Sequence, residues 1–564
     1  MQEAQRSSSA SKESIHSQSG AILSNRNIES RRITTTAGLD TDNAGVKYQP
    51  ELLQSALPVD LPAYYNLDEK YKASKAEIWS YYLYLAANSG ATLSNFAPTA
   101  FQNLLSQAAG DAGVLPFAGR VRSVNSIVLL SNGLAFAIQT VMFLILGSFA
   151  DFGTWRPNIL IVMSFIGIAV GFAWLSVHTE EKWMVASVLY ILGLISFQTC
   201  WTFWVAAFPG LARSTSKLRE AAKAYKAGSL SRADFELMDS MKRNEISNMS
   251  FAVGSAGSLA VIAIGIGIFN APHVNDSAQN NNWGLSVFNA FGAAAELVLA
   301  APWFILEKRR PGLPLPSGMN IFQAGIWQLY RALKDIWKLR QSLLYLIVYF
   351  LLGDALNTSI TIVSTLQNQV QAFNSLILAY LLLVSVAAQA AGVYAYWSIQ
   401  HRYQIRTKTM LTVASVAVVL MTIYGFVGIW VTEIGFHSRW EFWGFQVYFG
   451  FFVCPWYNYS QTMISEITPR GKDFFFFSLF GIIGKTSSFI GPLVSSAIID
   501  NATRSGNTKN STFTAFYFLM PLSVVSTLAL LFGVDVQRSK REQDKFLLDE
   551  QAAREDIKTR LIMK

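Results

Sequence analysis

Residues 479–492 read LFGIIGKTSSFIGP, and Lys485 is the one charge in that run. With Gly484, Thr486 and Ser487 it resembles the close of a phosphate-binding loop. Such a loop also needs a glycine five residues before Gly484, to open backbone amides around phosphate, and Leu479 stands there. No βαβ rhythm surrounds it. A nucleotide site is therefore excluded, and the lysine reads as a cation inside an apolar helix. Two carboxylates share that setting, Asp354 in VYFLLGDALNTSI and Glu296 in FGAAAELVLA. A charge buried in a bilayer is expensive and points to function by default. Asp354, Glu296 and Lys485 are therefore candidate residues for binding a charged solute or carrying a coupled ion. A purely structural Asp354–Lys485 pair answers the same cost.

Polar residues gather around these charges at helical spacing. Asp354, Asn357, Thr358, Thr361 and Thr365 form one stripe, and Tyr81, Tyr84, Asn88, Thr92 and Asn95 another. Tyr457, Asn458 and Gln461 follow further on. Amides and hydroxyls in such stripes bind solutes or hydrogen-bond neighbouring helices. Enzyme chemistry has no foothold. The five histidines are scattered, the two cysteines (Cys200, Cys454) lie far apart in apolar runs, and no nucleophile–base or metal constellation forms. No catalytic residue, metal ligand or cofactor is expected.

The elements that must position these residues are membrane helices. Of the 564 residues 52% are hydrophobic and 14% charged, against about 25% charged in soluble domains. Twelve apolar stretches have the length that crosses a bilayer: 78–101, 125–149, 158–177, 184–208, 249–269, 284–305, 342–364, 373–397, 409–431, 440–463, 474–498 and 514–534. Asp354 lies roughly 18 Å into the seventh, and Lys485 at similar depth in the eleventh, which runs the same way.

Lys and Arg set the orientation. With both termini cytosolic, the cytosolic loops carry 21 of them and the opposite loops 6. The net charge of +9 is thus juxtamembrane, which excludes a nucleic-acid partner in favour of the lipid bilayer. Three sequons, at Asn275, Asn501 and Asn510, fall in the predicted lumenal loops and make the chain a candidate glycoprotein.

The expected organisation is a disordered cytosolic tail over 1–75, a six-helix half over 76–305 with a helix-forming loop at 209–248, and a linker over 306–341. A second six-helix half covers 342–534 and a cytosolic tail 535–564. Six helices, a linker and six more suggest two pseudo-repeated halves of an all-α membrane protein. Glycines 254, 257, 265 and 267, and again 481, 484 and 491, flatten helix faces for close packing or sliding.

After the second stretch stands GSFADFGTWRP. Gly147, Asp151, Gly153 and Arg156 resemble the G-x-x-x-D-x-G-x-x-R signature of the major facilitator superfamily. The chemistry suits a cytosolic gate, because Asp151 can meet a basic residue or a helix N-terminus and Arg156 can make a bidentate contact. In that superfamily helices 1, 4, 7 and 10 line the cavity.

With that motif, RNEISNMSFAVGSAGS (243–258) and SEITPRGKDFFFFSLFGIIGKTSSFIGPLV (465–494) resemble the autophagy-related vacuolar amino-acid effluxers of fungi. The last stretch places Glu466, Pro469, Gly471, Lys472, Phe475, Lys485, Ser488, Gly491 and Pro492 in that family's pattern, and the resemblance covers about 75–534. It implies a major facilitator in the vacuole membrane that exports neutral amino acids such as leucine, isoleucine and tyrosine after autophagic breakdown. A transporter of another solute, sugar or metal, and a non-transporting scaffold or sensor remain the alternatives.

Overall fold

The computed structural model describes residues 68–88, 96–112, 114–152, 154–270, 276–312, 336–370, 375–469, 472–504 and 512–562, with single positions between 320 and 330. Helices dominate. The first predicted stretch divides into α1 (Lys75–Ala87) and α2 (Phe96–Ala109), and the next five become α3 (Val124–Ala150), α4 (Arg156–Ala173), α5 (Trp183–Arg213), α7 (Arg232–Asn270) and α8 (Ala278–Leu306). A short α6 (Ser216–Lys226) joins α5 to α7. The remaining stretches become α9 (Arg340–Val370), α10 (Ser375–Tyr403), α11 (Thr407–Val427), a tenth formed by α12 (Arg439–Tyr448) and α13 (Pro455–Ile467), α14 (Asp473–Arg504) and α15 (Phe516–Leu528). Outside the predicted spans, besides α6, lie a hairpin of β1 (Val114–Phe117) and β2 (Arg120–Ser123) and a closing helix α16 (Val536–Ile562).

Among the described residues nine helices are long and apolar enough to cross a membrane, matching predicted stretches two to nine and twelve. Of the other three, the first and tenth are divided between two helices, whereas the eleventh is one continuous helix. In the tenth, Pro455 cannot donate and crowds the carbonyl four residues back. The chain answers with a π-turn over Phe449–Val453, in which Cys454 N–H donates to Phe449 O at 2.8 Å. In the eleventh, apolar segments Phe475–Gly484 and Ile490–Ile499 flank the Lys-Thr-Ser-Ser polar step.

The burial pattern is that of a membrane protein. On α4 the side chains of Val162, Phe165 and Ile166 face outward, whereas Ser164, Gly167 and Gly171 are buried. The outer face is more apolar than the inner, which suits lipid rather than water.

The first eight helices and the later ones repeat a packing plan. α1 packs on α7 and α8, α4 on α5 and α8, and α3 on α5. Six stretches later α9 packs on α14 and α15, α11 on α13 and α15, and α10 on α12. Glycines make the equivalent pairs close. A Cβ on Gly254 would stand 2.6 Å from Leu85 Cγ of α1, and one on Gly491 would overlap Thr358 Oγ1 and Asp354 Oδ1 of α9. The two sets meet along α3–α14 and α7–α10.

Candidate functional site

Between the two sets lies a cavity of about 190 Å³. α5 contributes Gln198, Trp201 and Thr202, α9 Tyr349 and Asn357, α13 Trp456, Tyr457 and Gln461, and α14 Phe480, Gly481 and Gly484. Its described lining is mostly aromatic rings and amides, with the hydroxyls of Thr202, Tyr349 and Tyr457. Tyr349 and Trp456 stack 5.7 Å apart at 8°, so one wall is a rigid double ring. The glycines keep α14 from filling the space. A Cβ on Gly484 would reach 3.4 Å from the Tyr349 hydroxyl, and one on Gly481 3.2 Å from Phe143. Amides beside ring faces offer hydrogen bonds of both senses and apolar contact to a small solute.

Of the residues singled out in the sequence, Asn357, Tyr457, Gln461, Gly481 and Gly484 border this cavity, and Thr361 donates its hydroxyl to Asn357 O within α9. Asp354 is buried and turns to α14, where its carboxylate accepts Gly491 N–H at 2.8 Å. Gly491 precedes Pro492, whose missing N–H weakens the α14 ladder there. Asp354 therefore braces the proline step from the neighbouring helix. Lys485 lies within α14, but its side chain, and with it the pairing with Asp354, is outside the described residues. Glu296 and Asn88 come together. Buried in α8, Glu296 accepts the Asn88 side-chain N–H at 2.8 Å. Asn95 and Gly153 fall outside the described residues, as do Asn275 and Asn510, while Asn501 is exposed in the last turn of α14.

The end of the bundle that carries α16 is laced across the two sets. Asp151, buried four residues beyond Gly147, accepts Phe475 N–H at 3.1 Å in the first turn of α14. A carboxylate there meets unpaired donors and the positive end of the helix dipole. Arg213, ending α5, pairs with Asp473, starting α14, at 2.9 Å with both side chains about nine-tenths buried. Glu466 accepts hydroxyls from Ser240 and Thr407, both at 2.5 Å, and Arg243 donates to Ser465 O at 2.8 Å. Farther out, α16 pairs with the tip of α7 through Arg232–Asp544 at 2.5 Å and Lys540–Glu236 at 2.9 Å.

Arg156 opens α4 beside a charge cluster within the first set. Glu77 is fully buried and holds Arg310 by two bonds, 2.7 and 2.8 Å, and also accepts Lys308 N–H at 3.0 Å. Glu307 joins them just past the end of α8. Burial pushes its carboxyl up to about 7, against the opposing pull of Arg156 and Arg310.

Sequence reasoning passed over Gln198, Trp201, Tyr349, Trp456, the Arg213–Asp473 pair and Glu77. Gln198 carried a signal, an amide alone in an apolar span. The rings carried none, because most aromatics in these spans face lipid or pack between helices.

Residues 73–544 match the family described as "Vacuole effluxer Atg22 like". Autophagy-related protein 22-1 of Phaeosphaeria nodorum is 25% identical over 462 residues, spanning 76% of this chain and 79% of that one. Autophagy-related protein 22 of Pyricularia oryzae is 24% identical over 471 residues, 74% and 66% of the respective chains. Among solved structures, the major facilitator superfamily proton:xylose symporter XylE aligns with a TM-score of 0.55 at 12% identity, covering 82% of this chain and 97% of that one. FucP, a transporter of the same superfamily in its outward conformation, gives 0.52 at 12% identity, covering 81% and 99%. These likenesses carry the fold: an all-α membrane protein of major facilitator architecture.

Proposed function

Because this chain belongs to the vacuole effluxer Atg22-like family of multi-pass membrane transporters, we propose that it exports neutral amino acids, of the leucine, isoleucine and tyrosine type, from the vacuole by alternating access. What supports this reading is the central cavity, small and lined by amides and rings, lying between two helix sets that are laced together at one end. In the proposed topology both termini are cytosolic and twelve helices span the membrane, six in 76–305 and six in 342–534, with linker 306–341 between them. The laced end is then the cytosolic gate, closed here.

Gln198, Asn357 and Gln461 would hold the polar backbone of the solute, and the rings its side chain. Lys485 and Asp354 remain the candidate charge clamp, and Asp354 and Glu296 the candidate proton carriers. Parting of Arg213 from Asp473 and of Asp151 from α14 would open the cytosolic path.

The test compares vacuolar amino-acid pools of starved cells with and without the protein, then vesicle transport by Asp354→Asn. Retained neutral amino acids, and loss of transport in a variant that still reaches the membrane, are expected. Unchanged pools would remove the effluxer reading.

A further inference from the structure

Trp201 is a wall between two cavities. One is the central cavity. The other, about 150 Å³, lies between α1, α7 and α10 and presents Gln389, Ser255 and Ser258 among apolar side chains. Among the described residues Trp201 borders both.

Its neighbours hold it there. The indole meets Phe251 of α7 edge-on, 5.7 Å away at 80°, and leans on Trp204 at 5.9 Å. Trp204 is itself anchored. It is 2% exposed and stacks on Tyr81 at 4.6 Å and 11°. Trp204 Nε1–H donates to Tyr81 O and the Tyr81 hydroxyl to Trp204 O, each at 3.2 Å. One indole is thus locked into the first helix set, while the other is half-buried where it borders both cavities.

We propose that Trp201 sets the upper size of the solute, confining it to the central cavity by closing off the second. The inference rests on the transport reading above. Without the indole the two cavities become continuous. The annex then supplies an amide and two hydroxyls for a peptide group, with apolar walls for a second side chain. That chemistry suits a dipeptide.

The experiment uses proteoliposomes of the full chain, with leucine and leucyl-leucine as probes. Wild type should move leucine and exclude the dipeptide. Trp201→Ala should raise the ratio of dipeptide to leucine transport at least ~10-fold over wild type, the lower range of steric discrimination in a pocket, whatever it does to the leucine rate itself. Trp201→Leu should shift the same way by less, and Trp201→Phe should behave as wild type. A leucine-competent Trp201→Ala that still excludes the dipeptide overturns the inference, as does a wild type that moves both equally.

A wild type that moves no amino acid counts against the transport reading instead. The partition is then read by cysteine modification, with Cys200 and Cys454 replaced by serine. A bulky maleimide should modify Gln198→Cys at least ~10-fold faster when Trp201 is alanine, again by steric relief. Equal rates overturn the inference.

Discussion

Replacing Asp473 by asparagine tests the gate most directly. The substitution keeps the shape and one acceptor but removes the charge that holds Arg213 across the two helix sets at 2.9 Å. Both side chains are about nine-tenths buried, so solvent screens the pair little. A hydrogen bond to a charged group contributes about 1.5–3 kcal/mol. Removing one partner of a buried pair outright costs about 3–5 kcal/mol. The isosteric change belongs in the lower range. If the bond exists only while the α16 end is closed, its loss favours the open form by roughly 10- to 100-fold, at about 1.4 kcal/mol per decade. Asp151, Ser240, Glu466 and Arg243 still lace that end, so the fold should survive. The assay places a cysteine at Thr202 in the central cavity and measures its modification by an impermeant reagent added on the α16 face. The expected rate rises at least tenfold, with no rise from the opposite face. A rate within twofold of wild type, in a protein that melts lower, would show that Arg213–Asp473 only stabilises the fold and would refute the gate argument.

Two further outcomes follow from the packing and the charges. Glu307 takes up its proton more readily in the folded chain, near pH 7, than a free carboxyl would, so its contribution to stability is present at low pH and lost as pH rises from about 4.5 through 7. Thermal unfolding in detergent at pH 5 and pH 8 should therefore show a smaller loss on raising the pH for Glu307→Gln than for wild type, and equal losses would contradict the burial argument. Gly392→Ala should lower the melting temperature by the equivalent of about 1–3 kcal/mol, because its Cβ would stand 2.6 Å from Phe451 Cα in the π-turn, whereas Gly444→Ala meets nothing within 4 Å and should be neutral or slightly stabilising.

The helical spans were legible because each long apolar run has one solution in lipid, a helix that satisfies its own backbone. The breaks were less so. Pro455 marks the π-turn only once its clash with the Phe451 carbonyl is considered, and α16 is too polar to register as a span. Depth along a helix set Asp354 beside Lys485 of α14, a pairing that lies outside the described residues. The described contact is with Gly491 N–H, about 9 Å further along α14 at 1.5 Å per residue. Charge matching sees side chains and has no means of finding a backbone N–H at a proline step. The cavity rings were hidden for another reason. Trp201 and Trp204 stand three residues apart in FQTCWTFW, on nearly one face, and only Tyr81 and Phe251 from distant helices decide which is locked and which borders the cavity.

α7 has 39 residues, a rod of about 58 Å. It lies against α10 and α1, and its first turns pair with α16 through Arg232–Asp544 and Lys540–Glu236. A rod of that length is a lever. Rocking of the first helix set should swing its tip through a larger arc than any point near the cavity, and α16, seated against α9 and α13 of the other set, is the fixed mark beside it. A pair of fluorophores on the α7 tip and on α16 would report each opening as a change in distance, with no label near the solute.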